Sequence, residues 1–189
     1  IQPQLGESNL PLVSAGGPGS LSFNEFNPLF NRDRVGAQGS FVVGEDSTLA
    51  GEGIVSGVHK KLSFSAGYSG YKTDGFRENA DQEDQIANVF AQVELSPATS
   101  IQAEYRYRNA EYGDLPLRFF ADDVFGGQRN TEERHSGRFG LRHTFSPGSV
   151  LLASFMYQDA KFDLNDEQPG AFLESLRAQT AADGALLIF

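Results

Sequence analysis

Cysteine and tryptophan are absent from this 189-residue chain, and it has one methionine. Without cysteine there can be no disulfide, no thiolate metal site and no cysteine nucleophile. Histidine is scarce: His59, His135 and His143 are scattered along the chain, and three such residues do not by themselves make a zinc cluster. No Ser-His-Asp set suggests itself by spacing, so no catalytic residue, cofactor or metal is expected and the chain does not read as an enzyme. No block of lysine or arginine occurs, acids outnumber bases 25 to 15, and the formal net charge is -10. Nucleic acid is therefore not an expected partner. Long apolar runs are missing too. The longest, such as Ala185-Leu186-Leu187-Ile188-Phe189, fall far short of the roughly 20 residues of a spanning helix. The first residues show neither a positive start nor an apolar stretch, so no signal peptide is recognised.

Glycine and phenylalanine are plentiful, at 21 and 16 residues. Residues 1–36 hold Pro3, Pro11, Pro18, Pro28 and Gly16-Gly17-Pro18-Gly19, which break helix and strand periods alike and read as a linker or lead-in segment. Within it, Phe23, Phe26 and Phe30 are spaced to allow one short helical turn.

From Ala37 onward the period changes to two and stays there for most of the chain. Ile101, Ala103, Tyr105 and Tyr107 alternate with Gln102, Glu104, Arg106 and Arg108, the mark of a strand with two unlike faces. Val89, Ala91, Val93 and Leu95 alternate with Asn88, Gln92 and Glu94, with Phe90 as the exception on the polar side. The same grammar returns in Phe139, Leu141, His143 and Phe145 and, after Ser146-Pro147-Gly148, in Leu151, Ala153, Phe155 and Tyr157. Two similar hairpins are expected there. Further strands are expected from 49 to 58, from Leu62 to Tyr68, near 37–45 and near 178–189, giving about eight, each roughly 9 to 13 residues and longer than usual for a soluble sheet. Short turns at 60–61, 96–99 and 146–148 alternate with long charged loops at about 74–84, 111–132 and 163–177, which are expected to be solvated.

Strands of this length, with apolar and polar faces, short turns at one end and long loops at the other, match an antiparallel transmembrane β-barrel. The alternative is a soluble or surface-exposed antiparallel β-sandwich used for binding or adhesion, which also alternates its faces. Charge on the polar face and aromatics near strand ends, at Tyr68, Tyr71, Tyr107, Tyr112, Phe139, Phe145 and Tyr157, favour the barrel.

The segments Phe23-Asn24-Glu25-Phe26-Asn27-Pro28-Leu29-Phe30-Asn31-Arg32-Asp33, Tyr71-Lys72-Thr73-Asp74-Gly75-Phe76-Arg77-Glu78-Asn79, and Gln102-Ala103-Glu104-Tyr105-Arg106-Tyr107-Arg108 followed by Gly113-Asp114-Leu115 resemble bacterial outer-membrane proteins with a TonB-dependent-receptor-like β-barrel. The resemblance spans about residues 20–165. It implies a Gram-negative outer-membrane protein, a passive or gated transport conduit or membrane anchor, of which this chain is an early part of a larger barrel. No TonB box or plug is recognisable in the sequence. Expected partners are outer-membrane lipid and further strands of the same protein or other envelope components.

On this reading Glu94, Glu104, Arg106, Arg108, Arg138 and Arg142 line the lumen, with arginine in excess, either selecting charged solutes or filling a narrow barrel with ion pairs. Val89, Ala91, Val93, Ile101, Ala103, Tyr105, Tyr107, Leu141 and Phe155 face lipid. The oxygen-rich run Asp163, Asn165, Asp166 and Glu167 lacks EF-hand spacing and reads as solvated loop. Gly51-Glu52-Gly53 reads as small residues on a curved strand.

Overall fold

The structure, a computed structural model, describes residues 33–116, 124–166 and 175–188, the last of these as backbone. The linker reading of 1–36, including the Phe23, Phe26 and Phe30 turn, falls almost entirely outside the described residues. Eight strands are present: β1 (Arg34–Val43), β2 (Leu49–His59), β3 (Leu62–Thr73), β4 (Gln82–Ser96), β5 (Thr99–Tyr112), β6 (Gln128–Ser146), β7 (Ser149–Asp166) and β8 (Ser175–Ile188). They form one antiparallel sheet in chain order, each strand bonded to its sequence neighbours. No helix and no second sheet is found among the described residues. The two packed sheets of a sandwich are therefore not found there. Nor is the sheet closed, since β1 and β8 are its two edges and are not paired to each other. The all-β antiparallel sheet itself is what the alternation predicted.

The short turns fall where expected. Lys60-Lys61 joins β2 to β3, with Lys60 at φ 53°. The β4–β5 and β6–β7 hairpins are alike in detail: each has a register shift just before the turn, at Glu94/Ser96 and at Thr144/Ser146, followed by proline at the first turn position. A bulge there re-aims the strand end into a tight turn.

The other end of the sheet differs from the sequence expectation. Strand β6 begins at Gln128 and β7 continues to Asp166, so the loops 111–132 and 163–177 are shorter than expected, as is 74–84. Alternation is lost in these extensions because both faces become polar, yet backbone pairing continues through Glu111↔Thr131 and Thr131↔Asp163. Period-two reading follows side-chain contrast, and the ladder does not need it.

Register decides the two faces. Side by side across β4 to β7 stand Val93, Ile101, Leu141 and Ala153, then Ala91, Ala103, Phe139 and Phe155, then Val89, Tyr105, Gly137 and Tyr157. The opposite face carries Gln92, Gln102, Gly140 and Ser154, then Phe90, Glu104, Arg138 and Met156. The burial is the reverse of a soluble sheet's. Phe41 is 69% exposed and Phe155 49%, whereas Gln102 is 2% exposed and Arg138 7%. Phe90, the apparent exception in the sequence, is among the most completely buried side chains and sits on the polar face beside Ser65 and Glu104. Tyr71 and Tyr112 also turn to that face, opposite Asp84 and Asn130, and so leave the expected outer aromatic set.

Candidate functional site

The polar face of β4 to β7 is the candidate site. Residue parity brings Glu94, Glu104, Arg106, Arg108, Arg138 and Arg142 to this one face, as the sequence predicted. It also brings Asp84 and Glu132, expected in solvated loops, together with Arg134. Their signal is present in the sequence: Asp84 lies an even number of residues from the 88–94 polar series of its strand, and Glu132 and Arg134 from the 138–142 series, once the strands run on.

Arg108 is held between two carboxylates. Its Nε and Nη2 donate to the Asp84 carboxylate at 3.0 and 2.6 Å, and its Nη1 donates to Glu132 Oε2 at 3.4 Å. Glu132 accepts a further charge-assisted bond from Arg134. Nearer the turn end, Arg138 Nη2 donates to Glu104 Oε2 at 2.5 Å, with both side chains nearly buried. Glu94 lies exposed at the turn-side rim. Its backbone N–H donates to the Lys61 carbonyl at 2.8 Å. Five arginines on this face, at 106, 108, 134, 138 and 142, share it with acids at 84, 94, 104, 132 and 166. The arginine excess expected from the sequence is thereby offset, because the extended strands add three carboxylates and one guanidinium.

Beyond the strands, two loops are clasped together. Asp114 is fully buried, its carboxylate accepting from Arg77 Nη1 at 3.4 Å and from the Phe125 N–H at 3.1 Å. Arg77 Nη2 also donates to the carbonyls of Asp114 and Pro116 at 2.7 and 2.9 Å. Asn79, at φ 55°, donates from its amide to the carbonyls of Phe125 and Gln128, and its own carbonyl accepts the Asp114 N–H at 2.6 Å. The expectation that Arg77, Asp81, Asp84, Arg129 and Glu132 are simply solvated is corrected: Arg129 bonds Asp81 at 2.6 Å, and the others are engaged as above. Gly113 is required here, since a Cβ would fall 2.1 Å from the Asn79 carbonyl oxygen. Asp114→Asn removes the charge opposite Arg77, and an uncompensated, partly buried guanidinium costs about 1–3 kcal/mol. Faster amide hydrogen exchange across 77–81 and 113–116, with β2 and β3 unchanged, is the expected result.

No family model, curated protein or solved structure matches this chain.

The nine residues expected to face lipid, Val89, Ala91, Val93, Ile101, Ala103, Tyr105, Tyr107, Leu141 and Phe155, all stand on the face opposite the ion pairs. Towards the loops this face turns polar. His135 Nδ1 hydrogen-bonds the Tyr105 hydroxyl at 2.7 Å, its ring packs 4.9 Å from that of Tyr107, and its Nε2 lies 3.2 Å from Glu133. His143 is eight residues away near the turn end, with Thr99 Oγ1 at 2.8 Å, so the two histidines serve separate contacts. Asp163 and Asp166 point to opposite faces of β7, which splits the acidic run between them. Glu167 lies outside the described residues.

Proposed function

We propose that this sheet is wall from a bacterial outer-membrane β-barrel, akin to TonB-dependent-receptor-like barrels, serving as a passive or gated conduit or as a membrane anchor. The observation that carries the reading is the inversion of the faces: large apolar side chains outward, serine, glutamine and paired charge inward. A water-soluble sheet gains nothing from exposing Phe41, Val89, Tyr105, Phe139 and Phe155 together. Lipid makes that face favourable, while the ion pairs satisfy the inner one. Unpaired edges are not tolerated in hydrocarbon. In the membrane, therefore, β1 and β8 are joined to each other or to further strands.

Detergent dependence and gel migration test this. The protein is expected to require detergent and to migrate differently before and after boiling; solubility without detergent, with no heat-dependent shift, would reject the membrane reading. Conduction is a further step. In reconstituted bilayers under a salt gradient, the near balance of acid and base on the inner face predicts weak ion preference, and Arg106→Gln with Arg142→Gln is expected to move the reversal potential towards cations. Absence of conductance leaves the anchor role.

A further inference from the structure

On the outer face, strands β1 to β3 enclose a trough. Phe41 on β1, Leu49 on β2 and Tyr68 on β3 form its walls, and its volume is about 220 Å³. The floor is Gly51 paired with Gly70, with Phe41 also opposite Gly51. Neither glycine has a positive φ, so backbone conformation does not call for them. Nor does crowding: a Cβ at Gly51 would meet Phe41 at 3.4 Å, and one at Gly70 would meet Tyr68 at 3.7 Å, both ordinary contacts. Glycine within a strand weakens it and often marks the close approach of a ligand. At the loop-side rim Lys72 and Glu83 stand 3.9 Å apart, well exposed, and Gln85 donates to Glu83 at 2.7 Å. The trough thus begins in the apolar outer face and ends at a polar rim bearing a loosely held ammonium.

We infer that this trough binds one acyl chain of an anionic membrane lipid, with the lipid phosphate at Lys72. The inference rests on the membrane reading above and adds a specific site to it. Three features select this occupant. The trough is continuous with the apolar face, it is too small and open for a compact drug-sized ligand, whose pockets run to about 300–1,000 Å³, and its single cation lies where an acyl chain would give way to a headgroup.

The chain has no tryptophan, so Phe41→Trp places one fluorophore on the trough wall and Phe155→Trp places one on the same face away from it. Each variant is reconstituted in phosphatidylcholine vesicles containing a rising fraction of phosphatidylglycerol brominated on its acyl chains. Half-quenching at Phe41→Trp is expected at about a fourfold lower brominated fraction than at Phe155→Trp, the worth of one additional buried methylene. Adding Gly51→Leu, which fills the floor, is expected to abolish the difference while quenching at Phe155→Trp persists as the control for folding. Lys72→Gln is expected to reduce the difference without filling the trough. Equal fractions at the two reporters would overturn the inference and leave the membrane reading standing. Absence of quenching at both would overturn the membrane reading and the inference together.

Discussion

Ala103→Arg is expected to abolish assembly into vesicles, while Gln158→Arg leaves it largely intact. Ala103 stands in the middle of the outward apolar rows, between Ala91 and Phe139. Gln158 stands on the opposite face, beside Ser136. An arginine on the lipid face near mid-bilayer costs about 2–4 kcal/mol, whereas the lumen side is far more permissive. The fraction of protein showing the heat-dependent gel shift after mixing with vesicles measures this directly. Equal assembly of the two variants would mean that the outward face does not meet lipid. Gln102 is a poor choice for the inner control, because it is only 2% exposed and packed where even a Cβ on Gly140 would approach within 2.8 Å of it.

Glu104→Gln is expected to cost about 3–5 kcal/mol of stability, since it leaves the Arg138 charge nearly buried beside a neutral partner. Removing both charges, with Glu104→Gln and Arg138→Gln together, is expected to recover much of that loss, because the penalty arises more from keeping a nearly buried charge that has lost its Glu104 partner than from a missing attraction. Asp81→Asn provides the contrast. The Asp81–Arg129 pair is about two-fifths exposed on both sides, and such pairs contribute about 0–1 kcal/mol. Urea unfolding of the vesicle-bound protein ranks the three. A Glu104→Gln cost no larger than that of Asp81→Asn would show that the inner face is well hydrated.

Much of this architecture is legible in the sequence, and the illegible part has one cause. Ile101 to Arg108 announces its strand because neighbouring residues differ sharply in polarity, and Pro97 and Pro147 announce turns by local chemistry. Those signals act over a few residues. The ties that extend β5 and β6 and close the loops join residues far apart in the chain: Arg108 with Asp84, Arg77 with Asp114, Asn79 with Gln128. The Gly113-Asp114-Leu115 segment stands out in the sequence, but nothing in it signals that Asp114 is fully buried. Phe90 shows the same limit from the other direction, an apolar residue whose place among polar neighbours becomes intelligible only when the register sets it against Ser65 and Glu104.

The strictly sequential strand order has a consequence for how such a wall can change over time. Every pairing in the sheet joins consecutive strands, and no connection crosses another. A hairpin such as β4–β5 or β6–β7 is therefore a self-contained unit, entering and leaving at the loop side with the same bulge and proline turn at its tip. Duplicating or deleting one such unit lengthens or shortens the sheet by two strands, keeps the direction of every remaining strand, and leaves inward and outward parity unchanged. Gain or loss of a single strand would reverse the direction of all that follow and set turns where loops had been. The width of this sheet is heritable in steps of one hairpin.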